Sequence, residues 1–316
     1  MDQKVANERE FQINEVSGWW NLERNKKKWD KDYEESNIHC RSYLKLRQNR
    51  LLDFVDELGL PKGACVLELG FGAGQTALEL GKRGFEVHGL DISEGFAEVA
   101  TARCKRDCPE GKFSLKAGNI ETSYGFKDNT FDLVVVVGAL QYLYNPYDCF
   151  KEVCRVLKPG GYFAIVQRNR YSLSNFTNIR DFMRTFIHFL LREQYELFPS
   201  IKSMLTDSKL RIIFGKFKDS KLFNSKFMLK GHDNWKYKIK KRIFSYFSLK
   251  SMLKKTGFSL LKAGGAYYCF SENPKYYGFN LKADKWIAGK VKGRFNLFFL
   301  LGRSVVLIGR KKQRGR

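Results

Sequence analysis

From Ala64 to Gln167 the chain alternates between short apolar runs and longer polar segments of helical spacing, and this alternation restricts the fold more than any other feature. The runs ACVLEL, FEVHGLD, KFSLKAG, FDLVVVVGAL and YFAIVQ have the length and β-branched content of strands. Between them, GQTALELGKRG, SEGFAEVATARCKRD and YDCFKEVCRVLKPGG read as helices. Ser93 stands as the N-cap of the second, and Pro159 with Gly160 and Gly161 stops the third. Val134 to Val137 is apolar on both faces, as a central parallel strand should be. After a long interruption the rhythm resumes with the helix SLKSMLKKTGF and strands at SLLKAGGAYYCF and GRSVVLIGR. The pattern predicts an α/β fold with a doubly wound, seven-stranded sheet.

This rhythm divides the 316 residues into four parts. Residues 1–58 form a helical leading segment, in which Leu44, Leu51, Val55 and Leu58 share one stripe. Residues 59–170 form the core, 171–247 an inserted cap rich in Phe, Lys and Arg, and 248–316 the last two strands with a basic end. The formal charge of +24 points to anionic partners: a phosphorylated small molecule, a nucleic acid or a membrane surface. Seven cysteines without framework spacing suit a reducing compartment, and Cys104 and Cys108 lack the further ligands of a zinc site. The start MDQKVANERE carries no signal sequence and no run reaches membrane-spanning length, so a cytoplasmic protein is expected, with no metal.

The stretch VLELGFGAGQTALEL takes the first strand into three glycines and out into a helix. Such a junction offers free backbone N–H groups at the positive end of the helix. A dinucleotide site would repeat G-x-G-x-x-G, but here Gly70, Gly72 and Gly74 are followed by Gln75 and preceded by Glu68. A carboxylate two residues before the first glycine opposes a pyrophosphate and suits a ligand with an ammonium or sulfonium group. Asp91 ends the second strand, where a carboxylate can accept from both hydroxyls of a ribose.

The ordered set VLELGFGAG, LDIS, AGNIE, NTFDLVVVVGALQYL and RVLKPGGYFAIV resembles the class I S-adenosylmethionine-dependent methyltransferases, most closely their ubiquinone/menaquinone-type and small-molecule branch. It covers about residues 60–170 and says little about the acceptor. The resemblance implies S-adenosyl-L-methionine as cofactor. It places Gly70, Phe71, Gly72 and Gly74 against the methionine portion and ribose, with Glu68 orienting the amino end through the loop. Asp91 holds the ribose diol and Ile92 packs on adenine. Asn119 and Ile120 stand where the family has Asp and a small residue meeting the adenine, and Asn119 can still accept through its amide oxygen. Gly138 offers its carbonyl to the cofactor ammonium.

Methyl transfer from a sulfonium needs alignment and, for an alcohol or phenol, a base. His232, beside Asp233 in the insertion, is the candidate base, and Tyr142 is placed to orient an acceptor, with Gln141 beside it. His88 lies inside a strand, and His39 and His188 in helical stretches without an evident partner. The NPY of 145–147 stands too far past the fourth strand to grip an extruded base, and Pro146 reads as a helix start. In the insertion, Phe182, Phe186, Phe189 and Leu190 share a helical face that fits a lid packed on the core, with an anionic membrane or nucleic acid as the alternatives. Residues 201–255 hold sixteen Lys and Arg against three Asp. Trp19, Trp20, Trp29 and Tyr33 are candidates to close the pocket. The expected activity is methylation of an anionic, sugar-phosphate or lipid-linked small molecule, at oxygen with carbon and nitrogen left open, and peripheral membrane contact through the basic insertion is an alternative to the packed lid. An RNA methyltransferase and a non-catalytic adenosylmethionine-binding module are the rival readings.

Overall fold

The computed structural model of the protein describes residues 3–23, 38–122, 124–172, 244–268 and 302–313, with Asn25, Arg242, Gly278, Lys282 and Asp284 besides. Two helices lead, α1 (Gln3–Trp20) and α2 (Ile38–Asp56). There follow β1 (Cys65–Leu69), α3 (Gln75–Lys82), β2 (Glu86–Asp91), α4 (Glu94–Asp107), β3 (Phe113–Ala117), β4 (Phe131–Val137), α5 (Pro146–Val156) and β5 (Leu157–Arg168). After the insertion come α6 (Tyr246–Lys255), β6 (Phe258–Ala266) and β7 (Ser304–Lys311).

The seven strands lie in the order β3-β2-β1-β4-β5-β7-β6. The first five pair in parallel, whereas β7 runs antiparallel between β5 and β6, so the sheet is mixed. Alternate residues of the central strands feed two cores. Leu67, Val134, Val136, Phe163 and Ile165 meet Phe150 of α5 and Leu249 and Leu253 of α6. Val66, Leu133, Val135, Ala164 and Val166 meet Leu51 and Val55 of α2 and Ala77 and Leu80 of α3. Leu44 is buried with them on the α2 stripe and Leu58 is half-buried.

Two boundaries differ from the sequence reading. The third core helix stops at Val156, and Leu157 already pairs with Phe131 of β4. Proline disfavours helical backbone at the residue before it, here Lys158, and the Lys158 ammonium instead pairs with Asp132 at 2.9 Å. The penultimate strand ends at Ala266, because Tyr267 turns into the left-handed region at φ 57° and its carbonyl accepts from Arg303 N–H. The N-cap of Ser93 is as expected, its hydroxyl accepting from Phe96 N–H, and Pro146 opens α5 after the Asn145 cap. Nearly all of the expected cap at 171–247 lies outside the described residues. Among those described, no helix is long and apolar enough to cross a membrane.

Because β2 and β4 flank β1 on opposite sides, the chain's crossovers part there, and the crevice above the carboxyl ends of β1 and β4 is where an open α/β sheet receives a ligand.

Candidate active site

β1 delivers the glycine loop to this crevice. Gly70 N–H donates to the Leu90 carbonyl at 2.7 Å, tying the loop to β2. Gly70 has φ 72°, and a Cβ there would stand 2.4 Å from Ala139 Cβ, so the loop runs against the segment after β4 with no room for a side chain. At Gly74, φ is 80° and a Cβ would stand 2.8 Å from Ala100 Cβ and 3.0 Å from its Cα, a backbone atom of α4. Gly74→Ala therefore combines left-handed strain with a displaced helix. A loss of about 2–4 kcal/mol is expected, seen as a lowered Tm in thermal unfolding, and an unchanged Tm refutes it.

Glu68 acts differently from the expectation. Its side chain is 1% exposed and does not line the cavity below; it accepts from the Thr76 hydroxyl and the Ala77 N–H in the first turn of α3. The N-cap residue of α3, Gly74, offers no side-chain cap, and Glu68 reaches across from β1 to fill that place. Burial foremost, then the nearby Asp91 carboxylate, pushes the Glu68 carboxyl up to about 8.

Asp91 sits at the end of β2 as expected, in the cavity wall. One carboxylate oxygen accepts from Gly72 N–H at 2.9 Å and the other from Ser93 N–H at 3.0 Å. Burial pushes its carboxyl up to about 6, and these amides, with that of Ile92, limit the rise.

The cavity has a volume of about 450 Å³, within the range of small-molecule sites. Gly70, Gly72, Ile92, Asn119, Ile120 and Gly138 line it with Asp91, and Tyr142 does too. Phe71 and Gly74 do not: Phe71 packs with Ala73, Phe96 and Ala100 behind the loop. The Asn119 amide oxygen accepts from Glu121 N–H at 2.8 Å, so the turn already uses the acceptor expected to face adenine. Burial holds the Tyr142 phenol above its ordinary range, and its ring meets Trp20 edge-on at 5.7 Å. A neutral phenol of this kind orients rather than deprotonates. His232, Trp29 and Tyr33 lie outside the described residues, whereas Trp19 is buried on α1.

Sequence reasoning missed several wall residues. Ile13, Val16 and Trp20 project from one face of α1 at helical spacing and close one side. Glu121 fastens that cover: it accepts from the backbone of Tyr144 and Asn145 at 2.7 and 2.8 Å and pairs with Arg9 of α1 at 3.3 Å. Tyr43 and Arg47 enter from α2, Gln167 and Arg168 from the end of β5, and Arg303 from the bend just before β7. Arg47 Nη1 lies 3.2 Å from where a Cβ on Gly138 would stand. His88 is elsewhere, bonded to Glu86 at 3.2 Å and edge-on to Phe131 near the amino end of the sheet. There the ligand atoms of Cys65, Glu86 and His88 lie within 4.8 Å of one another.

Known proteins resemble this chain in sequence and in fold. A methyltransferase domain family matches residues 67–165. The uncharacterised methyltransferase YdaC of Bacillus subtilis (strain 168) is 31% identical over 149 residues, which are 46% of this chain and 80% of that protein. A demethylmenaquinone methyltransferase of Tropheryma whipplei (strain Twist) is 29% identical over 156 residues, 46% of this chain and 60% of that one. Among solved structures, magnesium protoporphyrin IX methyltransferase from Synechocystis PCC 6803 with bound SAH aligns with a TM-score of 0.55 at 14% identity, covering 95% of this chain and 100% of that one. A methyltransferase from Methanosarcina mazei aligns with a TM-score of 0.52 at 19% identity, over 82% and 98%. These two likenesses concern the fold. Since the YdaC match extends over 80% of that relative at 31% identity, the chain belongs to the class I S-adenosylmethionine-dependent methyltransferases, with S-adenosylmethionine as its cofactor.

Proposed function

We propose that the enzyme methylates an oxygen of a small anionic acceptor, of the sugar-phosphate or lipid-linked kind. The observation that supports this is the division of one cavity along the sheet. Asp91 and Asn119 lie at the β2 and β3 side, Gly138 at the centre, and Gln167, Arg168 and Arg303 at the β5 and β7 side. One side suits a nucleoside and the other an acceptor of negative charge.

Bound there, the cofactor supplies a methyl group on a positively charged sulfur. Asp91 accepts from the ribose hydroxyls, while Ile92 and Ile120 flank the adenine. Gly138 offers its carbonyl to the ammonium, and Arg47, lying against Gly138, meets the carboxylate. Ile13, Val16 and Trp20 keep water from the reacting atoms. Tyr142 orients the acceptor oxygen through its neutral hydroxyl, and His232 of the insertion takes the proton. Holding acceptor and methyl in line supplies several kcal/mol of the barrier, roughly the scale of pre-paid orientation.

The test is to incubate the purified enzyme with isotopically labelled S-adenosylmethionine and a cell extract, then separate the labelled products. A labelled acidic compound of low mass, with the label on oxygen, is expected. Label released by ribonuclease, or tight cofactor binding without any transfer, overturns the reading.

A further inference from the structure

At the β5 and β7 side of the cavity, positive charge gathers around one aromatic ring. Arg47 and Arg303 place their guanidinium carbons 5.2 and 4.6 Å from the centre of the Tyr43 ring. The Tyr43 hydroxyl is 3.0 Å from Ser304 Oγ, and Ser304 pairs with Arg168 across β5 and β7. Burial pushes the Tyr43 phenol up, but Arg47, Arg303, the Ser304 hydrogen bond and Arg168 together outweigh it, and the net direction is down. A single half-buried tyrosine thus registers the field of three cations.

The two acids that line the same cavity, Asp91 and Glu121, are both engaged at its other side. Asp91 is held by Gly72 and Ser93, and Glu121 by Arg9 and two backbone amides. Gln167 adds an independent sign of a missing ligand. Its side chain is 1% exposed and lines the cavity, yet neither its amide nitrogen nor its amide oxygen has a hydrogen-bond partner among the described residues. Buried polar atoms without partners are uncommon and costly, which makes a ligand group their natural partner. The frame is also rigid. Arg303 N–H donates to the Tyr267 carbonyl and its own carbonyl accepts from Asn169 N–H, both at 2.9 Å.

We propose that Arg168, Arg303 and the Gln167 amide, gathered about Tyr43, form an anion subsite that receives a carboxylate or phosphate carried by the methyl acceptor. Planar guanidinium groups match either oxyanion through paired N–H donors, and the glutamine amide adds one more donor with an acceptor for a neighbouring hydroxyl. The subsite deepens the proposed function and rests on its reading of this cavity as the acceptor pocket. It assigns the acceptor's charge to one wall and leaves Arg47 for the cofactor.

The test uses the full chain saturated with S-adenosylhomocysteine and titrated calorimetrically with inorganic phosphate and, separately, acetate at fixed ionic strength. Saturable binding of at least one of them is expected, and which one distinguishes phosphate from carboxylate recognition. Arg303→Met should weaken it by roughly tenfold or more, the scale of one charge-assisted hydrogen bond, with S-adenosylhomocysteine affinity unchanged. Arg168→Met, at an exposed strand end, and Gln167→Met repeat the measurement should Arg303→Met not fold. No saturable binding of either anion, or binding that these substitutions leave intact, overturns the subsite. A neutral labelled product from the extract experiment also overturns it while methyl transfer stands. Anion binding without any transfer retains the subsite and sinks the proposed function instead.

Discussion

Asp91→Ala is expected to lower the affinity for S-adenosylhomocysteine by on the order of 100- to 1,000-fold, read by titration calorimetry. Each charge-assisted hydrogen bond to a ribose hydroxyl contributes about 1.5–3 kcal/mol, and this carboxylate is the group placed to accept two of them. In the free protein its oxygens hold the amides of Gly72 and Ser93, so the substitution also loosens the glycine loop it would present to the cofactor. Asp91→Asn retains a carbonyl acceptor and should fall between the two. The same carboxylate sets a pH dependence. With Asp91 pushed up to about 6, a falling pH protonates it and removes an acceptor, so affinity declines below that value. Affinity that is flat from pH 5 to 8, together with an unaffected Ala variant, would remove Asp91 from the binding site.

The second large effect concerns stability. Glu68 has an ordinary value of 4.5 and is pushed up to about 8 in the folded chain. A carboxyl raised in this way favours the folded state fully below its unfolded value, and that contribution is lost as pH rises through the folded one. In the ligand-free protein the loss amounts to roughly 4–5 kcal/mol between pH 4.5 and 8, with Asp91 acting in the same direction through about 6. Glu68→Gln keeps the shape and the acceptor for Thr76 and Ala77 but cannot ionise. Its denaturant midpoint should depend less on pH, and above pH 8 the variant should be more stable than the parent chain. A parallel pH dependence in the two proteins would show that Glu68 is charged at neutral pH.

Much of this architecture is legible from local chemistry. Apolar runs of strand length such as VLEL and LVVVV, each followed by a capped helix, leave few other folds, and the crevice follows from where the crossovers part. One side of the cavity is legible for the same reason: Gly70, Gly72, Asp91 and Ile92 line it from strand ends whose positions the alternation fixes. Glu68 illustrates the limit. Its nearness to the loop is apparent in one dimension, but its use as a cap for α3 depends on which way a β1 side chain turns. Phe71 fails similarly, since a loop aromatic can face the ligand or the core, and here Ala73, Phe96 and Ala100 claim it. The arginine wall had no local signal at all. Arg47 reads as one more cation on an amphipathic helix, and Arg303 as one of many in a basic tail. Gln167 looks like an ordinary strand terminus until its amide is found buried. Their meaning arises only from tertiary convergence.

That convergence has a consequence for how the molecule comes into being. The contact between Tyr43 and Ser304 spans 261 positions, and β7 reaches its place beside β5 only after every other strand has been made. On the division proposed above, Asp91, Asn119 and Gly138 precede the insertion in the chain, whereas Arg303 follows it, so the arginine wall is the last part of the cavity to be made.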